Sequence, residues 1–271
     1  MAAHSAFKAT SAPGDARRLA AEAVADGFDL VVAAGGDGTV NEVLNGIGDA
    51  ANGFEKARLG VLPLGTVNVF ARELKIPLNL EKAWEALRHG HETKIDLPRV
   101  EFSANGKSER LYFAQLAGAG FDARAIELMD LSQKKKIGPL AYVVAGLKAL
   151  RDKKAKVAMH ADGKTFSGEL VLIGNGKFYG GPFEILAGAD LRDGFLDVCI
   201  LPRVDFPTLL RCVPNFLVRQ RLPEKVAWRF RAANFELSGE GLAAFELDGE
   251  RVGNLPATFL IEREKLRVIV P

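Results

Sequence analysis

Residues 33–42 read Ala33-Ala34-Gly35-Gly36-Asp37-Gly38-Thr39-Val40-Asn41-Glu42, directly on the end of a short valine-rich run that starts at Asp29. An apolar run of this length is the mark of a strand buried on both faces. Three glycines in four positions let the backbone approach a polyphosphate closely. Val40, Val43, Leu44 and Ile47 then fall at i, i+3, i+4 and i+7, so a helix begins where the glycines end. Its first turn offers free N–H groups and the positive end of its dipole to an anion. Thr39 adds a hydroxyl donor. Asp37 is the informative residue, because a carboxylate beside phosphates makes sense mainly with a divalent cation between them. The same Gly-Asp-Gly-Thr also serves as a turn with a helix cap, and the loop alone leaves both open.

Outward from this loop the pattern is regular. Residues 14–26 carry Ala16, Leu19, Ala20, Ala23 and Val24 at helical spacing, and Gly27 ends them. A second strand, Arg58 to Leu62, runs into Pro63-Leu64-Gly65-Thr66 and a helix that stops before Pro77; Asn79 to Gly90 supplies another. Strands alternating with helices at this spacing predict a parallel sheet covered on both faces, with ligands at the carboxyl ends of its strands. Both loops, 35–39 and 65–68, leave at that end. After about residue 98 the grammar changes. Asn105-Gly106, Asp162-Gly163, Asp193-Gly194 and Asp248-Gly249 favour tight turns between antiparallel strands, with helical stretches near 123–132, 138–151 and 206–219. The expectation is an α/β nucleotide domain over 1–98, a mainly antiparallel β domain over 99–271, and a site in the cleft between them.

Composition narrows the classes. The chain has 271 residues, 48% of them hydrophobic, enough to build real cores. Lys plus Arg number 36 against 34 Asp plus Glu, too slight a balance to argue for nucleic acid. Cys199 and Cys212 stand alone, outside any zinc spacing, and read as buried apolar packing in a reducing compartment. The N-terminus lacks the pattern of a signal peptide. The longest apolar stretches, such as Pro139 to Leu147, fall short of the roughly 20 residues a span needs. A soluble, cytoplasmic protein is expected.

Several motifs are decoys. Gly106-Lys107-Ser108 and Gly163-Lys164-Thr165 look like the ends of P-loops, but Glu101 and Ala158 stand where the earlier glycine is required. Gly118-Ala119-Gly120-Phe121-Asp122-Ala123 looks like a dinucleotide fingerprint, yet it falls in the antiparallel half. Neither a G-x-S-x-G elbow nor an H-E-x-x-H motif occurs.

Taken together, the motifs resemble the diacylglycerol kinase catalytic-domain family, which includes bacterial lipid kinases and sphingosine kinases. Gly35 to Glu42 is similar to its nucleotide loop, a motif shared with NAD kinases and phosphofructokinases. Pro63-Leu64-Gly65-Thr66-Val67-Asn68-Val69-Phe70-Ala71-Arg72 is similar to the family's second and more selective motif. Gly118 to Ala123, Asn175-Gly176 with Gly180-Gly181-Pro182, Leu191 to Asp197, and Leu247-Asp248-Gly249-Glu250 match in order and spacing over nearly the whole chain. The resemblance implies an NAD kinase/phosphofructokinase-like nucleotide domain followed by a β-sandwich. It implies ATP contacts at Thr10, Gly36, Asp37, Gly38, Thr39, Val40, Asn41, Glu42 and Thr66. Asp37, a carboxylate inside an otherwise neutral loop, is expected to be essential for transfer. Glu250 matches the general base, and a positioned carboxylate can accept the proton of an attacking alcohol. A structural Mg2+ is implied at Asp193, with main-chain oxygens of Asp190 and Phe195, beside a second Mg2+ carried by ATP.

Two departures qualify the match. The family opens with a strand ending in Asn-Pro-x-x-Gly, which this sequence does not show. A shortened chain would leave an open sheet position beside a strand around Phe7 to Thr10, for a homodimer partner or water to fill. Many bacterial members also carry Asp where Val69 stands. Two unit charges about 4 Å apart interact by roughly 4 kcal/mol at an effective dielectric near 20, so Asp37 and Asp96 are the candidates to compensate. Sphingosine-kinase-like members lack that acid too. As to the acceptor, Leu128-Met129-Asp130-Leu131 before Lys134-Lys135-Lys136 offers apolar side chains beside a patch that attracts anionic lipid by about 1 kcal/mol per basic residue. A core-facing helix followed by a solvated charge run is the plainer reading of the same residues, and Phe206 to Val218 likewise reads first as core. Three functions stay open: an ATP-dependent lipid kinase, peripheral at the inner membrane face, acting on a diacylglycerol-like or sphingoid-like hydroxyl; a soluble-substrate kinase of NAD-kinase type; and a catalytically silent nucleotide- or lipid-binding protein.

Overall fold

The computed structural model describes residues 5–128, 145, 146, 148–152, 155–219, 222–241 and 243–271. Helix α1, Asp15–Ala25, buries Ala16, Ala20 and Val24, the stripe its spacing dictates. Its first turn is anchored by Asp15, whose Oδ2 accepts from the Ser11 and Ala12 amides at 2.9 and 3.1 Å. Strand β1, Leu30–Gly35, then pairs in parallel with β2, Arg58–Pro63, from Leu30 opposite Arg58 to Gly35 opposite Pro63. Between them lie α2, Asp37–Asp49, and the short α3, Gly53–Lys56; α4, Val69–Glu73, and α5, Leu80–His89, follow. These helices pack on the two strands around Leu44, Ile47, Leu59 and Phe70, all almost fully buried.

The expected strand around Phe7 to Thr10 does not form. Phe7 is 87% exposed, and the segment leads into the cap of α1 rather than into the sheet. Strand β1 therefore ends the sheet order among the described residues.

The other strands are β3 His91–Ala104, β4 Lys107–Tyr112, β5 Leu116–Gly120, β6 Val157–Ala161, β7 Lys164–Gly168, β8 Leu170–Gly174, β9 Phe178–Tyr179, β10 Phe183–Glu184, β11 Leu196–Leu201, β12 Trp228–Ala232, β13 Asn234–Gly239, β14 Ala244–Leu247, β15 Glu250–Asn254 and β16 Ala257–Val270. Helix α6, Phe121–Glu127, follows β5, and α7, Phe206–Arg219, follows β11. The sequence predicts a parallel sheet for the first domain, and the structure corrects this to a mixed one. Only β1, β2 and the end of β16, where Val268 meets Leu59, run parallel. Strand β3 pairs antiparallel along almost the whole of β16, from Ala257 opposite Phe102 to Val270 opposite His91. On its other edge β16 meets β13 first and β2 last. A bulge between Glu262 and Leu266, with Glu264 at φ 49°, redirects the strand between the two neighbours.

The first half of β16, with β3, β4, β13, β6 and β7, faces a second antiparallel sheet of order β12-β11-β8-β5-β14-β15. This is the sandwich the resemblance implies. Its shared core is aromatic: Phe235 stacks on Phe259 at 5.5 Å, and Phe102 meets Phe245 edge-on at 5.1 Å. Cys199 lies buried on the outer side of the second sheet, where burial pushes its thiol up to about 11. Both cysteines are free and buried, as packing residues should be.

Three of the four predicted tight turns join paired strands. Asn105-Gly106, Asp162-Gly163 and Asp248-Gly249 all hold positive φ at both positions, between β3 and β4, β6 and β7, and β14 and β15. Asp193-Gly194 does not. It precedes β11, and its Gly194 amide donates to Asp96 Oδ2 at 2.6 Å rather than to a ladder partner. The expected helix near 123–132 is seen as α6; the patch at Met129 to Lys136 and most of the stretch 138–151 lie outside the described residues. Among the described residues no helix is long and apolar enough to cross a membrane.

Candidate functional site

The two Gly-bearing loops meet at the carboxyl ends of β1 and β2. The Leu64 amide donates to Gly35 O at 2.9 Å, continuing the parallel register one residue past the strands. The loops then touch backbone to backbone: a Cβ on Gly65 would overlap Gly36 Cα, so that contact requires glycine. Asn68 locks the second loop. It sits at φ 53°, accepts from the Gly65 amide at 2.9 Å and donates to Gly65 O at 2.7 Å. Asp37 Oδ1 accepts the Phe70 amide at 3.1 Å, so this carboxylate ties the start of α2 to the start of α4. Helix α2 itself has no side-chain cap at its N-terminus. The amides of its first turn are thus left for a partner at the mouth of the site.

In front of the loops lies a cleft of about 560 Å³ between the domains. Gly36, Asp37, Gly38, Thr66, Val67 and Val69 line one side, and Gln115, Leu116, Glu246, Asp248, Gly249 and Glu250 the other. Ile126 and Phe178 add apolar surface to the lining. Glu250 reaches across: a Cβ on Gly38 would stand 2.8 Å from Glu250 Oε1. The carboxylate from the second domain therefore hangs directly over the first turn of α2.

What holds it there is Asp248. Its Oδ2 accepts from Asn41 Nδ2 at 2.8 Å and from the Ala114 amide at 2.7 Å. Its Oδ1 accepts the Gln115 and Leu116 amides at 2.9 and 3.0 Å. Burial raises the Asp248 carboxyl above its ordinary range, and these four donors pull it back. One side chain thereby pins the Glu250 turn to α2 and to the segment entering β5.

The other residues singled out in the sequence divide. Thr66 is exposed in the cleft, and Thr39 packs against Gly35 beside it. Val40 is 2% exposed and belongs to the core, so only its backbone can serve a ligand. Asn41 works across the domain boundary, through Asp248 and Tyr112 O. Glu42 accepts the Gly14 and Ala16 amides at 2.9 and 3.0 Å, which makes it the cap of α1. Thr10 lies in the exposed segment before that helix, outside the cleft lining. Asp96 is 1% exposed and accepts the Gly194 and Glu264 amides, so it braces the Asp193 turn and is not among the residues that line the cleft with Val69.

The turn implied to hold Mg2+ is built, but its carboxylate is engaged. Asp193 Oδ1 accepts the Phe195 amide at 3.0 Å and Oδ2 pairs with Arg231. The Arg231 guanidinium also lies over the Phe195 ring at 5.1 Å, while Asp190 turns back to accept the Arg192 amide at 3.0 Å. A guanidinium thus stands where a cation would need Asp193, so the Asp193 carboxylate as placed does not fit a resident metal ion. Among the described residues no group of three or more His, Cys, Asp or Glu side chains could hold one.

Sequence reasoning passed over three residues that the fold uses. Asn45, 3% exposed, both donates to Tyr112 O and accepts the Tyr112 amide, each at 2.9 Å. Glu73 Oε2 accepts Gln115 Nε2 at 2.8 Å and the Lys177 amide at 2.7 Å, joining the second motif to the loop after β8. Gln115 completes that bridge. The only hint was that Asn45 follows Asn41 by one helical turn.

Comparison with known proteins agrees with this architecture. The family model described as "Diacylglycerol kinase catalytic domain" matches residues 2–100, and "YegS C-terminal NAD kinase beta sandwich-like domain" matches residues 115–270. A protein named diacylglycerol kinase from Staphylococcus aureus (strain JH9) is 32% identical over 268 residues, covering 97% of this chain and 81% of its own. Among solved structures, a diacylglycerol kinase from Bacillus anthracis str. Sterne superposes with a TM-score of 0.72 at 23% identity, covering 97% of this chain and 84% of that one. Yeast NADH kinase complexed with NADH gives a TM-score of 0.51 at 11% identity, over 90% of this chain and 62% of that one, and shares the fold alone. With both halves of its fold matched in order, and the two glycine loops closed against a carboxylate from the sandwich, the chain belongs to the diacylglycerol kinase catalytic-domain family.

Proposed function

We propose that this protein transfers the γ-phosphoryl group of ATP to a hydroxyl of a lipid, diacylglycerol-like or sphingoid-like. The observation that carries the reading is Glu250 over Gly38: a carboxylate from the sandwich half stands close over the uncapped first turn of α2, both lining the same cleft. The backbone of Gly36 to Thr39 receives the polyphosphate. Glu250 takes the proton as the acceptor oxygen bonds to the γ-phosphorus; the bond from that phosphorus to the bridging oxygen breaks and ADP leaves. Magnesium, carried in on the nucleotide, supplies charge neutralisation on the phosphates, and Asp37 at the loop is the acid available to face it. Val67, Val69, Leu116, Ile126 and Phe178 give the cleft the apolar lining a lipid requires. The protein would then meet its substrate as a peripheral visitor at the inner membrane face.

The test is a screen of ATP consumption against diacylglycerol in mixed micelles, a sphingoid base, a polyprenol and NAD, run beside Glu250→Gln. The expected result is a phosphorylated lipid, lost by about 100-fold or more in Glu250→Gln with nucleotide affinity kept. Phosphorylation of NAD alone would move the protein to the soluble-substrate class. Transfer to none of the four would leave a nucleotide- or lipid-binding protein without this activity.

A further inference from the structure

Behind Glu250, two further carboxyl groups meet in the interior. Asp122 on α6 and Glu246 on β14 are 4% and 0% exposed. Each has one oxygen with a donor: Asp122 Oδ1 accepts from the Tyr179 hydroxyl, and Glu246 Oε2 accepts the Gly249 amide at 2.7 Å. The other two oxygens, Asp122 Oδ2 and Glu246 Oε1, are buried without a donor. They converge beside Gly118, where a Cβ would overlap the first and come within 2.9 Å of the second. Two orphaned acceptors facing one another at the buried wall of the cleft are satisfied by a single proton between them.

We propose that Asp122 and Glu246 share one proton and act as positioning residues for phosphoryl transfer, holding the Gly249–Glu250 turn over the phosphate loop. The proton sits on Glu246 Oε1 and is donated to Asp122 Oδ2. In this orientation Asp122 keeps the charge with the Tyr179 hydroxyl on its Oδ1, and Glu246, which faces the charges of both Asp122 and Asp248, keeps the proton. Burial raises both groups, Glu246 the further, because the Asp122 charge adds to it. The remaining titratable neighbours are few. Asp248 faces Glu246 from the turn. Arg124 on α6 pairs outward with Glu127 and Asp152, and Arg251 on β15 pairs with Glu127. Strands β5 and β8, which also pack on α6, read Leu-Ala-Gly-Ala-Gly and Leu-Val-Leu-Ile-Gly and carry none. No cation is aimed at the pair from these elements, so the proton is what lets the two acids touch. The link to chemistry is the Gly249 amide: Glu246 holds the residue that precedes Glu250.

The kinetic half of this proposal rests on the phosphotransfer reading, and the other half does not. Infrared spectra of the full-length protein at pH 7 should contain a protonated-carboxyl band that is missing in Asp122→Asn and in Glu246→Gln, where an amide donor replaces the shared proton. Exchange of the Gly249 amide should quicken by about tenfold or more in Asp122→Ala and stay near wild type in Asp122→Asn. In turnover, Asp122→Ala should lose about tenfold or more in kcat with KM for ATP unchanged, while Asp122→Asn recovers most of it. The alkaline fall of kcat, where the pair loses its proton and the two charges separate, should be present in wild type and absent in Asp122→Asn. A merely structural contact would not move that limb. Absence of the protonated band in wild type, or an unchanged Gly249 exchange rate in folded Asp122→Ala, overturns the proposal. If no acceptor is phosphorylated at all, the lipid-kinase reading fails while the infrared and exchange results still decide the pair.

Discussion

Replacing Asp248 by asparagine tests whether one carboxylate fastens the two domains together. The side chain accepts four hydrogen bonds, two on each oxygen, from Asn41 Nδ2 and from the amides of Ala114, Gln115 and Leu116. Asparagine keeps a single carbonyl oxygen, which can serve one of these pairs, and turns its own N–H groups towards the other. Two donors then lose their acceptor, at about 1–3 kcal/mol each where water is excluded. Asp248 borders the cleft, so water can reach part of the site, and the lower half of the range applies. The expected loss is about 2–4 kcal/mol, measured by urea unfolding with an unchanged m-value. Asp248→Ala should cost about the same or more. A loss under about 1 kcal/mol for Asp248→Asn in a folded protein would refute the idea that this residue is the fastening. Retention of full turnover would separately show that Glu250 is aimed by something else.

Further outcomes follow from the same geometry. Asp37→Ala should lower stability by only about 1 kcal/mol, the worth of its bond to the Phe70 amide, yet abolish transfer and weaken Mg-ATP binding in calorimetry; unchanged turnover would dispose of its role. Gly65→Ala should cost about 1–3 kcal/mol by overpacking and push the two loops apart, seen as a lower midpoint with nucleotide affinity reduced; a normal affinity would mean the loop contact is dispensable. Burial raises the Asp197 carboxyl to about 6 from 3.8, with Arg229 opposing, so the folded chain holds that proton more tightly than the unfolded one. Stability from this group is present below pH 4 and is lost as pH rises towards 6. Asp197→Asn should therefore melt higher than wild type at pH 7.5 and gain nothing at pH 4, and the reverse order would contradict the assignment.

Much of the fold was legible because local rules carried it. Val40, Val43, Leu44 and Ile47 fixed α2, and all four are buried in the core. Three Asx-Gly dipeptides placed three hairpins, since positive φ at two successive positions leaves few other uses for them. The same rule failed at Asp193-Gly194, where Asp96 from far along the chain captures the turn's amide. The mixed sheet was out of reach for a similar reason. Nothing in Leu266 to Val270 tells an apolar strand of a sandwich from one that slots beside β2. At the site the glycines stand out because close backbone approach demands that residue type, whereas Glu250 is singled out only through the family resemblance, since Asp248-Gly249-Glu250 by itself reads as a hairpin turn. Glu73, Asn45 and Gln115 do not, because any polar residue on a half-buried face looks the same until its partner across the boundary is known.

The bulged strand β16 also sets the order in which the molecule can be made. Leu59 finds its neighbour Val268 only after the entire sandwich segment has been synthesised. As the chain leaves the ribosome, β1 and β2 emerge early with their helices but lack the strand that covers the inner edge of the pair. Contacts between such distant positions are slow to form, because a long loop must close before they repay anything. The nucleotide domain should accordingly gain no lasting structure when residues 1–98 are produced alone. Heating the whole protein should melt both domains in one transition, since a strand hydrogen-bonded in each cannot leave one and stay in the other. Chaperone demand during synthesis would then fall on the half of the protein that appears first.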